Sequence, residues 1–173
     1  MTAIGDRTPA FTLPDTGGAM HEPGEAPATV VVFTCNHCPY ALAWHERLVE
    51  VAHDYADRGV RMLAINPNDA ERYPRDSLQE MRARVARGEL GGVPYLRDES
   101  QDVAREYEAK TTPDVYVLDA DRVLRYRGAP DADYEDPSQS AAFLRGALDA
   151  VLAGREPDPR ETPPVGCSIK WKP

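Results

Sequence analysis

The run Thr29-Val30-Val31-Val32-Phe33-Thr34 passes directly into Cys35-Asn36-His37-Cys38-Pro39. An unbroken stretch of β-branched and aromatic residues predicts a strand buried on both faces, the kind found in a parallel sheet covered by helices. Beyond the cysteines, Ala41, Leu42, Leu48, Val51, Ala52 and Tyr55 recur at helical spacing, with Glu46, Arg47, Glu50 and Asp54 on the opposite side. Gly59 ends that helix. Val60 to Asn66 then reads as a second strand closed by Pro67 and Asn68. The result is a βαβ unit with two cysteines at its first strand-to-helix turn.

That position gives the cysteines their chemistry. A helix N-terminus offers free N–H groups and the positive end of its dipole, and both favour a thiolate. Cys35 is therefore expected to have a lowered pKa and to act as the nucleophile on a disulfide. Cys38, one turn inward and less accessible, is expected to resolve the mixed disulfide. Each tenfold preference for the thiolate corresponds to about 1.4 kcal/mol. Pro39 suits the first helical turn, where few N–H groups need partners. Structural zinc is the competing reading of a cysteine pair, but it needs a second pair or two suitably spaced histidines. Here there is one Cys-x-x-Cys, and His45 and His53 are poorly spaced for a finger. A soft-metal-binding module using Cys35, Cys38, His37 or Cys167 is kept as a different class. No metal or organic cofactor is implied.

The remaining chain continues the α/β pattern. Pro9 to Asp15 reads as a short edge strand or extended arm, and Met20 to Pro27 as a loop. Ser77 to Arg87 reads as a helix capped by Asp76 or Ser77, stopped by Gly88, with Leu78, Met81 and Val85 facing inward. Val93 to Leu96 is a short extended segment, and Ser100 to Ala109 a helix with Val103, Ala104 and Tyr107 facing in. Thr111 to Leu118 and Val123 to Tyr126 form a hairpin about Asp119-Ala120-Asp121. An acidic loop from Gly128 to Pro137 leads to a last amphipathic helix, Ser138 to Ala153, and a Pro-rich tail. The fold class expected is a central mixed sheet with helices on both faces. One domain spans 1–173, with the tail 155–173 packed on it.

Charge narrows the partners. The net charge is -9, from 29 acidic against 20 basic residues. Nucleic acids and anionic membranes both attract basic surfaces, so neither is expected as a partner. Met1 to Pro9 shows no apolar run after a basic start, and no stretch is long and apolar enough to span a bilayer. A cytoplasmic location follows as the expectation, where a close cysteine pair points to catalysis rather than to a structural disulfide.

Three segments carry a family resemblance: Phe33-Thr-Cys-Asn-His-Cys-Pro-Tyr40, Thr112-Pro113-Asp114, and Gly166-Cys-Ser-Ile-Lys-Trp-Lys172. On these the chain resembles the thioredoxin superfamily. Within it, the chain is similar to redoxin-type, peroxiredoxin-like (AhpC/TSA-related) proteins. The resemblance implies a thioredoxin fold with an N-terminal extension and the 77–87 helix as an insert. It implies thiol–disulfide exchange with protein disulfide or dithiol partners and a separate reductase that recharges the pair. It also implies that Pro113 is cis, that Thr112 offers its backbone to substrate, and that Tyr40 and Trp44 are candidates to line a groove beside Cys35. Trp44 is expected to pack against the sheet edge, and Asp114 to be a polar strand-start residue.

The chain also departs from its relatives. His37 directly precedes Cys38, as in protein disulfide isomerase, where a nearby imidazole stabilises the thiolate and makes the disulfide more oxidising. Against that stands the reading of His37 as a solvated loop histidine. The strand before Cys35 has no acid to match thioredoxin's buried carboxylate, so proton transfer falls to His37, His45 or water. A thiol peroxidase is the runner-up, but Val32 and Ala28 stand where peroxiredoxins place Thr and Pro, and neither Arg125 nor Arg127 is marked out to bind peroxide. The odd Cys167 is expected to be an inert thiol in a tail that folds back with Ile169 or Trp171 buried, with a third redox role as the sharper candidate.

Overall fold

The computed structural model describes residues 2–173. A small hairpin of β1 (Leu13–Pro14) and β2 (Met20–His21) leads to the buried strand β3 (Ala28–Phe33). Helix α1 (Pro39–Ala56), strand β4 (Val60–Asn66), a 3-10 turn at Pro74–Asp76, helix α2 (Leu78–Ala86) and strand β5 (Tyr95–Arg97) follow. Then come α3 (Asp102–Glu106), β6 (Thr111–Thr112), β7 (Asp114–Asp119), β8 (Leu124–Gly128), α4 (Ala142–Leu152) and β9 (Cys167–Ser168).

Five strands make the central sheet, in the order β5-β4-β3-β7-β8. β3, β4 and β5 are parallel, and β7 and β8 are antiparallel. The mixed sheet expected from the sequence is therefore present. β3 is central and every residue in it is buried. Ala28, Val30 and Val32 pack with Leu48 and Val51 of α1, Met81 of α2, and Leu144 and Leu148 of α4. Val31 and Phe33 point to the other face, against Val103, Ala104, Tyr107, Tyr116 and Ile169. Burying each such Val, Leu or Phe contributes about 1.5–3 kcal/mol over leaving it exposed. β3 must supply apolar contacts to helices on both sides, which explains its unbroken hydrophobic composition.

Several local expectations change. Ser77 caps α2, its Oγ accepting from Glu80 N at 3.2 Å, and Asp76 is withdrawn into the interior. Val85, expected inside, is 38% exposed, while Arg84 is buried. Part of the 20–27 loop is strand, because Met20 and His21 pair with Pro14 and Leu13. α3 is shorter than the 100–109 pattern and α4 starts later than Ser138. Ala141 adopts a left-handed φ of 61° just before α4, and Ser138 is bonded into a turn by Asp136. The loop from Gly128 to Pro137 is anchored by Asp131. This buried carboxylate accepts from Trp44 Nε1 at 2.8 Å, Arg47 Nη1 at 2.9 Å and Ala141 N at 3.0 Å.

The tail packs on the body. β9 pairs antiparallel with β6, in the register Thr111 to Ser168 and Thr112 to Cys167. Ile169 is buried and Trp171 packs beside it, as expected. Lys170 N donates to Asn68 Oδ1 at 2.9 Å, and Gln101 Nε2 donates to Lys170 O at 2.9 Å.

Candidate active site

Cys38 is the N-cap of α1, and Pro39 occupies its first turn. Cys35 lies between the end of β3 and that cap. Both thiols are buried, Cys35 at 1% and Cys38 at 0% exposure, so the expected difference in accessibility is absent. Thr112 walls the pair: its Oγ1 is 3.3 Å from Cys35 Sγ, and its carbonyl accepts from Cys38 Sγ at 3.2 Å. The Thr112–Pro113 bond is cis, as the resemblance implied, and Pro113 is buried. Asp158–Pro159 is a second cis bond that the sequence did not signal.

The two thiols pack together in one small buried cluster with Ala41. Their mutual hydrogen bond, reinforced by burial and the nearby Asp76 carboxylate, pushes Cys35 up. The same bond lowers Cys38, which the Ala41 N–H at the start of α1 also favours as thiolate. The helix N-terminus, expected to lower Cys35, thus acts on Cys38, because Cys38 and not Cys35 is the cap. Cys167 packs on the same cluster and is pushed up to about 11 by burial and by its hydrogen bond to Cys38. Tyr40 and Cys167 pack on the small cluster of Cys35, Cys38 and Ala41.

The intervening residues are held by a polar network that sequence reading missed. Asp76, fully buried, lies at its centre. Its Oδ1 accepts from Asn36 N at 2.7 Å and Asn66 Nδ2 at 3.2 Å, and its Oδ2 from Asn68 Nδ2 at 3.0 Å. His37 Nδ1 lies 2.6 Å from Asp76 Oδ2, outside the angle of a hydrogen bond. The His37 ring stacks parallel to that of Tyr73, so it is not a free loop histidine. Asn36 Oδ1 accepts from Tyr95 OH at 2.7 Å and Arg84 Nη1 at 3.0 Å. Burial raises the Tyr95 phenol, which keeps it a donor. Arg84 also reaches the Cys35 carbonyl at 3.4 Å. No sequence spacing linked Asp76 or Arg84 to the cysteines. The signals available in retrospect were Asp76 beside a helix cap and a basic residue on an otherwise inward-facing stripe.

The other candidates are distributed as follows. A Cys35 sulfur, a His37 ring nitrogen and an Asp76 oxygen lie within 4.8 Å of one another, the one group among the described residues with donors placed to hold a metal. His45 stands apart, bonded to Glu89 O at 2.6 Å and lowered by burial. Trp44 is buried on Asp131 and Tyr134 and does not line an open groove, whereas Tyr40 lies half-buried with its ring 4.2 Å from that of Tyr134. Asp114 is fully buried, not a surface strand start. It accepts from Lys110 N at 3.1 Å and Tyr116 OH at 3.3 Å, and faces Arg127 at 3.4 Å. Arg125 pairs with Asp119. Cys167, expected to be a buried thiol, is half-buried and packs on the cluster of Cys35, Cys38 and Ala41.

A dithiol at the strand-to-helix turn of this sheet, beside a cis proline, defines a thioredoxin-like redox protein. The chain belongs to the AhpC/TSA family, which it matches over residues 4–127. Among proteins of curated function, none matches it in sequence. It is similar to a hypothetical protein from Sinorhizobium meliloti 1021, with 39% identity and a TM-score of 0.91 over 99% of this chain and 96% of that one. It is similar to an uncharacterized conserved protein from Geobacillus kaustophilus, with 41% identity and a TM-score of 0.91 over 100% of this chain and 94% of that one. A secreted Mycobacterium tuberculosis disulfide oxidoreductase shares the fold at 19% identity, with a TM-score of 0.60 over 83% of this chain and 95% of that one. Among the described residues, no helix is long and apolar enough to cross a membrane.

Proposed function

We propose that this protein is a thiol–disulfide oxidoreductase acting on protein partners through Cys35 and Cys38. The observation that carries the reading is that both thiols meet one residue: Thr112 Oγ1 lies 3.3 Å from Cys35 Sγ, and the Thr112 carbonyl accepts from Cys38 Sγ at 3.2 Å. In the reducing direction, Cys35 gives its proton to the neighbouring Cys38 thiolate and attacks one sulfur of a partner disulfide, and the other sulfur leaves as a thiolate and is protonated. Cys38 then attacks Cys35 Sγ, the partner leaves reduced, and the protein keeps the Cys35–Cys38 disulfide. In this reading His37, set against Asp76, passes the proton. Thr112, Pro113 and Tyr40 form the substrate side of the site. A separate reductase regenerates the dithiol, and the cytoplasm is the compartment that fits this cycle. The similarity in fold to a secreted disulfide oxidoreductase is consistent with the chemistry.

Trapping with Cys38→Ser tests the reading. The variant should hold partner proteins on Cys35 as mixed disulfides that a reductant releases. Absence of any trapped protein, together with rapid peroxide turnover by the wild type, would favour a thiol peroxidase. That outcome is not expected, because buried apolar Val32 and Ala28 stand where peroxiredoxins place Thr and Pro, and the hydroxyl at Cys35 Sγ comes instead from Thr112. The clustering of Cys35, His37 and Asp76 favours a second reading, a soft-metal site. Stoichiometric metal in anaerobically purified protein, lost in Cys35→Ser, would support it. The Asp76 oxygens already accept three protein hydrogen bonds, which weighs against their use as metal ligands.

A further inference from the structure

The buried dithiol raises a question of access. At 1% and 0% exposure, Cys35 and Cys38 are far less open to an external reductant than Cys167 beside them, which is half-buried. Three observations fix Cys167 at this spot. Its residue pairs with Thr112, the residue whose carbonyl holds Cys38 Sγ. Gly166 lets the tail approach, since a Cβ there would sit 2.8 Å from the Thr112 carbonyl carbon. On either side the chain is fastened, by Thr162 N to Arg127 O at 3.0 Å and by Ile169 N to Lys110 O at 3.2 Å. Cys167 packs against the cluster of Cys35, Cys38 and Ala41. Because Cys167 is paired with Thr112 and Cys38 Sγ is held on the Thr112 carbonyl, Cys38 is the thiol of the pair that Cys167 is set to attack.

We propose that Cys167 is the third member of a thiol relay and the port through which external thiols recharge the buried pair. This rests on the dithiol exchange proposed above and extends it. The Cys167 thiolate attacks Cys38 Sγ of the Cys35–Cys38 disulfide. The Cys35–Cys38 bond breaks, a Cys38–Cys167 bond forms, and Cys35 leaves as a thiolate that takes the proton given up by Cys167. No net oxidation occurs. An external thiol, as thiolate, then attacks the half-exposed Cys167 Sγ, and Cys38 leaves as a thiolate. A second external thiol completes the reduction, the pair of external thiols ending as their own disulfide.

Peptide mapping of oxidised protein tests the relay. Trypsin places Cys35 and Cys38 together in residues 8–47 and Cys167 in residues 161–170. After equilibration with oxidised and reduced glutathione and acid quenching, the wild type should yield a disulfide-linked pair of these peptides, along with the internally bridged 8–47 peptide. The Cys35→Ser variant should retain the link and Cys38→Ser should lose it. In the Cys167→Ser variant, the internally bridged peptide should persist longer when reduced glutathione is added. If wild type and Cys167→Ser both form the internal bridge, no linked pair is found in wild type or Cys35→Ser, and both variants are reduced at equal rates, the relay is wrong and the dithiol reading stands. If neither forms the internal bridge at any glutathione ratio, the dithiol reading itself fails. The wild-type map stands even if a variant misfolds.

Discussion

Asp76 Oδ2 lies 2.6 Å from His37 Nδ1, and the same carboxylate accepts the backbone N–H of Asn36 through Oδ1 at 2.7 Å. One buried acid thus fixes both residues between the cysteines. It reaches the site from the 3-10 turn before α2, not from the strand that ends at Cys35. If His37 moves the proton and Asp76 orients it, the two act as a unit. His37→Gln should slow disulfide exchange with a model protein disulfide by about 10²-fold, the usual lower range for a positioned acid–base group. Asp76→Asn should slow it similarly, and the double variant should be little slower than either single one. Asp76→Asn should also lose about 1–3 kcal/mol of stability in urea unfolding, because it turns a donor toward those of Asn66 or Asn68. Additive rate losses in the double variant would separate the two residues.

Gly166 is the point where the tail crosses the Thr112 carbonyl. An added methyl would be sterically excluded from that crossing. Gly166→Ala should therefore lift β9 from β6 and cost about 1–3 kcal/mol, the usual range for overpacking. Cys167, Cys38 and Cys35 should become faster to alkylate with iodoacetamide under native conditions, as read by intact mass over time. Unchanged alkylation would mean that β9 does not cover the thiols in solution.

The architecture was legible in the sequence because its strongest signals are local. The apolar run of β3, the periodicity of α1 and the turn at Asp119 to Asp121 each follow from residues close in the chain. The cysteine pair was legible for the same reason. What was not legible depends on partners distant in sequence. Asp76 reaches Asn36 across 40 positions, and Cys167 meets Thr112 across 55 by strand pairing. Arg84 broke the apolar stripe of α2 because a buried guanidinium is needed at the Cys35 carbonyl and Asn36. Helix periodicity has no means of expressing that demand. Which cysteine receives the α1 amides turned on a shift of three residues in the cap, finer than pattern reading resolves.

Asp131 shows how the acidic loop serves the same end of the sheet. The carboxylate is fully buried, and Arg47 in contact with it has an 11% exposed side chain. Trp44 Nε1 and Ala141 N also depend on it. Asp131→Ala would remove the ionic partner of Arg47, which keeps only the carbonyls of Asp133, Tyr134 and Asp136, and would leave the Trp44 indole N–H and Ala141 N without this acceptor. The expected loss is about 3–5 kcal/mol in urea unfolding, the range for removing one partner of a buried ion pair. Tyr40, which packs on Tyr134 of the same loop, should lose its fixed position, so exchange with a protein substrate should weaken more than exchange with a small disulfide. Equal losses for both substrates would remove Tyr40 from the substrate side.

Asp114 gives a pH test. Burial holds its carboxyl above the usual carboxylate value, and Arg127 only partly offsets this. One carboxyl oxygen, Oδ1, has no hydrogen-bond partner, so the charged form is poorly served. A folded-state pKa above the unfolded value of about 3.9 means that the folded protein binds the proton more tightly. Its contribution to stability is fully present below about pH 3.9 and is lost as the pH rises through the folded value. Asp114→Asn cannot titrate. The stability of the wild type minus that of Asp114→Asn should therefore fall as the pH rises from about 4 to 7. Urea unfolding of both proteins at several pH values across that window measures the difference, and a difference that rises with pH would show instead that the Arg127 ion pair outweighs the cost of burying the charge.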